Sequence, residues 1–153
     1  MGGGSGVEKL MTREELEHEI REWLHWTAGL RRGGSVLLAL DVGGTVDEKG
    51  FEIFKQVASG FDIVNKYDVY YCAFSYEVWA HAPIEEFTIP KFEVGSSNYT
   101  KVFKVARESE HDAVIIFSDG YGEKPRREVL PTLWVLMVHL AKPKWGQIIN
   151  WRN

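Results

Sequence analysis

The sequence predicts an α/β fold: a doubly wound, mostly parallel sheet in the order 3-2-1-4-5, with strand 3 antiparallel and helices on both faces. Three observations carry this expectation. Residues 35–40 form a continuous apolar run ending in Asp41 and a glycine turn, the pattern of a central strand buried on both faces. Beyond the turn, Phe51, Phe54, Val57, Ala58, Phe61 and Val64 recur at helical spacing, so strand leads to helix. Further apolar runs then alternate with helical stretches, which implies right-handed parallel crossovers.

Taken in order, residues 1–6 are Gly-rich and read as a flexible linker or expression leader. Residues 7–34 hold a helix expected to dock on the domain formed by 35–153. Thr12, Glu14 and Glu15 make a capping-box start, Leu16, Ile20, Trp23 and Leu24 share one face, and Gly29 is the expected stop. His18 and His25 do not make a zinc helix, because the position four after His18 is Glu22. After a helix over about 51–67, residues 68–74 read as a strand, and a turn at Tyr76 returns 78–81 as an antiparallel edge, with His81 pointing outward. Pro83 and Pro90 bracket an irregular connection containing Glu85 and Glu86. Ser96 or Ser97 is placed to cap a helix over about 98–109. Strands over 112–117 and 132–139 complete the expected sheet.

Composition narrows the function. A chain of 153 residues, 44% hydrophobic, fits one globular domain with a full core. A net charge of −4 spread along the chain argues against a dedicated nucleic-acid or anionic-membrane binder, and Lys124, Arg126 and Arg127 read as a solvated loop. The single cysteine, Cys72, lies in an apolar run and is expected to be a buried strand residue. With no secretory core and no membrane-length apolar span, the expectation is a soluble, cytoplasmic protein.

Several segments, in register, resemble the von Willebrand factor A (VWA) domain, in particular its bacterial VWA-like type. Asp41, Gly43 and Thr45 fall on that family's Asp-x-Ser-x-Ser motif, with Gly43 in place of the first serine. The segment from Gly95 through Ser97 to Tyr99 is similar to its Gly-Gly-Thr-Asp-Phe stretch and puts Ser97 at the threonine position. Residues 114–120, ending in Asp119 and Gly120, are similar to its strand-Asp-Gly, and residues 131–136 and 143–149 resemble the close of the domain. The resemblance implies a Rossmann-like sheet and a metal-ion-dependent adhesion site, with Asp41, Thr45, Ser97 and Asp119 as the metal set and Gly43, Gly44 and Gly120 as supporting loop residues. It also implies a non-enzymatic interaction module, in which Mg²⁺, Mn²⁺ or Ca²⁺ bridges to a carboxylate on a partner protein. Carboxylates and hydroxyls without imidazole or thiolate are a hard-oxygen set, suited to those cations.

Two consequences follow for the site. Neighbouring acids repel unless a cation or a proton lies between them, so a metal-free site is expected to raise the pKa of one. Restoring the missing hydroxyl by Gly43→Ser is expected to tighten metal binding wherever the backbone admits a side chain. Two other functions stand beside the adhesion reading. One is a metal-free scaffold of the same fold, natural or redesigned. The other is a nucleotide-binding, phosphotransferase-like fragment, because residues 41–45 also resemble the first phosphate loop of the sugar-kinase and actin-like ATPase superfamily. There, however, the loop turns into a hairpin strand, whereas a helical pattern follows here.

Overall fold

A computed structural model of the chain describes residues 11–27, 34–43, 46, 48–60, 66–88, 90–91, 93–137 and 142–151. Six strands make one sheet: β1 (Ser35–Asp41), β2 (Asp68–Phe74), β3 (Val78–Pro83), β4 (Ala113–Ser118), β5 (Thr132–Leu136) and β6 (Gln147–Asn150). Their order is β3-β2-β1-β4-β5-β6. β3 runs antiparallel to β2, and every other neighbouring pair is parallel. The first five strands stand where the sequence predicts, except that β5 ends at Leu136, short of the expected 139, and residues 138–139 lie outside the described residues. The sixth is an addition, since its four residues include only two apolar ones, Ile148 and Ile149, too short a run to read as a strand alone.

β1 is central because both of its faces are apolar. Val36, Leu38 and Leu40 enter one core, where Leu16, Ile20 and Leu24 of α1 (Arg13–Trp26) meet Phe51, Phe54 and Val57 of α2 (Glu48–Gly60). Leu37 and Ala39 enter the other, against Tyr99, Val102, Phe103 and Ala106 of α3 (Tyr99–Glu108). Helices therefore cover both faces. Between β4 and β5 there is none, and Trp134 on β5 is covered instead by Trp145, whose ring lies 5.5 Å away and whose carbonyl accepts the Trp134 indole N–H at 3.0 Å.

The helix ends differ from the sequence expectation in instructive ways. α1 has the expected capping box, with Glu15 N donating to Thr12 Oγ1 at 3.1 Å and Thr12 N to Glu15 Oε1 at 3.2 Å. Its expected stop at Gly29 lies outside the described residues. α2 begins at Glu48, before the apolar set, and residues 61–65 of the expected helix also lie outside them. α3 starts after Asn98 with no side-chain cap. Neither Ser96 nor Ser97 occupies the cap position, which falls on Asn98, and the Ser97 hydroxyl is committed to Asp41. Among the described residues no helix is long and apolar enough to cross a membrane.

Candidate functional site

β1 and β4 are neighbours and parallel, so Asp41 and Ser118, their last residues, reach the same edge of the sheet. The segment before α3 is drawn across this edge by backbone bonds. Glu93 N donates to Val42 O at 2.9 Å and Asn98 N to Ser75 O at 2.8 Å, while Glu123 N donates to Ser97 O at 3.1 Å and Tyr99 N to Glu123 O at 2.8 Å. Ser97 is thus clamped between the β2–β3 turn and the β4–β5 loop.

The result brings three of the four expected site residues together. Ser97 Oγ donates to Asp41 Oδ2 at 2.6 Å, Ser118 Oγ lies 2.6 Å from the same oxygen, and Gly43 N donates to Asp41 Oδ1 at 2.9 Å. Asp119 follows directly, its Oδ1 accepting Tyr121 N at 2.9 Å, and Gly120 N reaches Ser118 Oγ at 3.3 Å. Asp41, Ser97 and Asp119 are all buried. Thr45 and Gly44 lie outside the described residues. Ser118 and Tyr99 belong to the cluster and carry no signal in the sequence beyond a polar residue closing an apolar strand and an aromatic opening a helix. Lys124, expected in a solvated loop, is half-buried, with its ammonium 5.1 Å from the Tyr99 ring centroid and donating to Gly122 O at 3.2 Å.

Counting protons shows what a neutral Asp41 would complete. Its Oδ2, Ser118 Oγ, the Tyr99 hydroxyl and Tyr121 O form a line of three contacts at 2.6, 2.6 and 2.9 Å. Two hydroxyls own two protons, so with Asp41 ionised one contact lacks a proton. A proton on Oδ2 completes the line, running from Asp41 to Ser118 to Tyr99 to the carbonyl. Consistently, burial raises the Asp41 pKa. Hydrogen bonds from Ser118, Ser97 and Gly43 oppose the rise, and the charge of Asp119 adds the smallest push. The direction is the one expected from the sequence, but desolvation rather than repulsion between the acids is its main cause.

The donor set fits a hard divalent cation. All the atoms are oxygens, and Ser97 keeps lone pairs free while its proton goes to Asp41. Among the described residues no three His, Cys, Asp or Glu side chains gather to hold a metal, so a cation here relies on hydroxyls and water beside the two acids. A Cβ on Gly43 would stand 2.8 Å from Gly95 O, 3.0 Å from Asp41 Oδ1 and 3.5 Å from Ser97 Oγ. The place of the missing hydroxyl is therefore closed by a backbone carbonyl, and the condition attached to Gly43→Ser is not met. That variant is expected to lose about 1–3 kcal/mol through overpacking and to bind Mg²⁺ no better than the parent. Chemical denaturation and calorimetry check the two halves of this prediction.

These features define an α/β chain with a buried acid and hydroxyl cluster at the carboxyl edge of its sheet. No family model and no curated protein matches it. Among solved structures it is similar to an aerotolerance-related membrane protein from Bacteroides fragilis, carrying multiple mutations to serines. The TM-score is 0.49 at 14% identity, over 68% of this chain and 67% of that one.

Proposed function

We propose that this chain is a non-enzymatic, VWA-type interaction module, working in the cytoplasm, that binds an acidic group of a partner protein at the edge formed by Asp41, Ser97 and Asp119, with Thr45 assigned to the set by the sequence resemblance alone. The observation that supports it is the meeting of Ser97 and Ser118 on one oxygen of Asp41, from positions 56 and 77 residues away in sequence. Ser97 and Thr45 would hold Mg²⁺ or Mn²⁺ through their hydroxyls, and Asp41 and Asp119 through water. The cation when bound supplies an open position for the partner's carboxylate. The residues here orient and balance charge.

A metal-free interaction scaffold is the second reading, favoured by the complete line of hydrogen bonds that a neutral Asp41 makes. Calorimetric titration with MnCl₂ separates the two. The first reading expects saturable binding that Asp119→Asn weakens, and an absence of heat in the parent leaves the scaffold. ATP with Mg²⁺ is expected to leave the melting temperature unchanged, because a ligand that binds the native state raises it by mass action. A saturable rise would instead support the phosphotransferase-like reading.

A further inference from the structure

A second cluster lies away from the Asp41 edge, near the amino-terminal ends of the parallel strands. His111 follows α3, its N–H donating to Ala106 O at 2.8 Å, and its ring is nearly buried. Ser35, the first residue of β1, brings its Oγ within 2.6 Å of His111 Nδ1. The other ring nitrogen, Nε2, lies 2.9 Å from Nε2 of His81 on β3. The two imidazoles meet edge to face, with centroids 5.2 Å apart, and Tyr70 of β2 contacts both at 5.7 and 5.0 Å. One imidazole is fixed and the other is open to solvent.

Two Nε2 atoms at this separation share a single proton. A tetrahedral cation with metal–nitrogen bonds of 2.0–2.1 Å sets its nitrogen ligands about 3.3 Å apart, so the pair needs to open by a few tenths of an ångström and the His81 ring to turn until both lone pairs converge. β3 is an edge strand with the His81 ring exposed, which leaves room for that movement. On the buried side, Ser35 is placed to accept Nδ1–H of His111, the outer contact that orients a metal-bound imidazole and frees its Nε2 lone pair. Burial lowers the pKa of both rings, and the nearby His81 lowers that of His111 further, so the rings are neutral ligands at neutral pH. Asp112 and Asp68 lie close enough to His111 to favour positive charge there, and Asp112 Oδ2 accepts Ser35 N at 2.8 Å.

We propose that His81 and His111 form a two-imidazole site for a borderline transition-metal dication of the Zn²⁺, Ni²⁺ and Cu²⁺ class, with water in the remaining positions. Imidazole suits these ions, whereas the all-oxygen cluster at Asp41 suits Mg²⁺. The two sites therefore answer to different metals, and either can fail without the other.

ZnCl₂ titrated into the full chain, in the presence of excess MgCl₂, tests the site. The expected result is one saturable equivalent of Zn²⁺ that persists when His18 and His25 are both changed to alanine. His81→Ala is expected to weaken binding by about tenfold or more, with the metal-free protein still folded but somewhat less stable, because His111 Nε2 loses its partner. Nitrogen NMR should show Zn²⁺ shifting Nε2 of both His81 and His111. No binding in the parent, unchanged affinity in His81→Ala, or shifts confined to other histidines would each overturn the proposal.

Discussion

Replacing Gly122 by alanine is expected to destabilise the chain by roughly 2–6 kcal/mol, combining a strained backbone with overpacking. Gly122 has φ +129°, and a Cβ there would stand 2.1 Å from Ser97 O and 2.9 Å from Ser97 C. No side chain can move aside, because both opposing atoms are backbone. The collision falls on the seam where Glu123 N donates to Ser97 O and Tyr99 N to Glu123 O. Relieving it means parting the β4–β5 loop from the segment that delivers Ser97 to Asp41. Urea unfolding should show the loss, and any cation binding at Asp41 should go with it. A midpoint within error of the parent would show that the loop rearranges freely and that the seam does not position the site.

The second large effect is expected at Asp41, where two substitutions should diverge. Asp41→Ala removes the acceptor of Ser97 Oγ and Gly43 N and the partner of Ser118 Oγ, all in a buried setting. Unmet buried groups cost about 1–3 kcal/mol each, so a total of several kcal/mol is expected. Asp41→Asn should be milder, because an amide nitrogen in the place of Oδ2 donates to Ser118, although it cannot accept the Ser97 hydroxyl, which must turn to receive the second amide N–H. The pH dependence follows from the raised pKa. A group whose folded pKa lies above its unfolded one contributes stability that is full below the unfolded value and is lost as pH rises through the folded value. The Asn variant lacks that loss, so its stability relative to the parent should improve as pH rises from about 4. Parallel denaturation series at several pH values measure it, and a flat difference would argue that Asp41 is ionised throughout. Both variants should lose Mn²⁺ binding if the adhesion reading is right.

The central sheet was legible because its strands are unusually uniform. Every residue of β4 and β5 is buried, and such runs show as unbroken apolar stretches. β6 was not, since Gln147 and Asn150 are exposed and its pairing with β5 is a tertiary fact. Asp41 and Asp119 were legible as acids at strand ends. The Ser118 and Tyr99 hydroxyls were not, because their importance lies in short contacts across 19 residues that no local spacing encodes. The same holds for His81. Outward alternation on an edge strand made it look featureless, and its partner His111 is 30 residues away. Gly43 was legible as a missing hydroxyl but not as a requirement, which becomes visible only with the Gly95 carbonyl in place.

Cys72 has a practical consequence. It is the chain's single cysteine, fully buried on β2 between the centre strand and the β3 edge, and burial pushes its thiol pKa far up. Since the thiolate is the reactive form, a thiol reagent can modify it only after the surrounding structure opens. Labelling rate therefore serves as a clock for opening at one defined point of the sheet. If that rate rises with denaturant as steeply as global unfolding does, β2 opens only when the whole sheet does; a shallower slope would reveal the β3–β2 edge peeling away by itself.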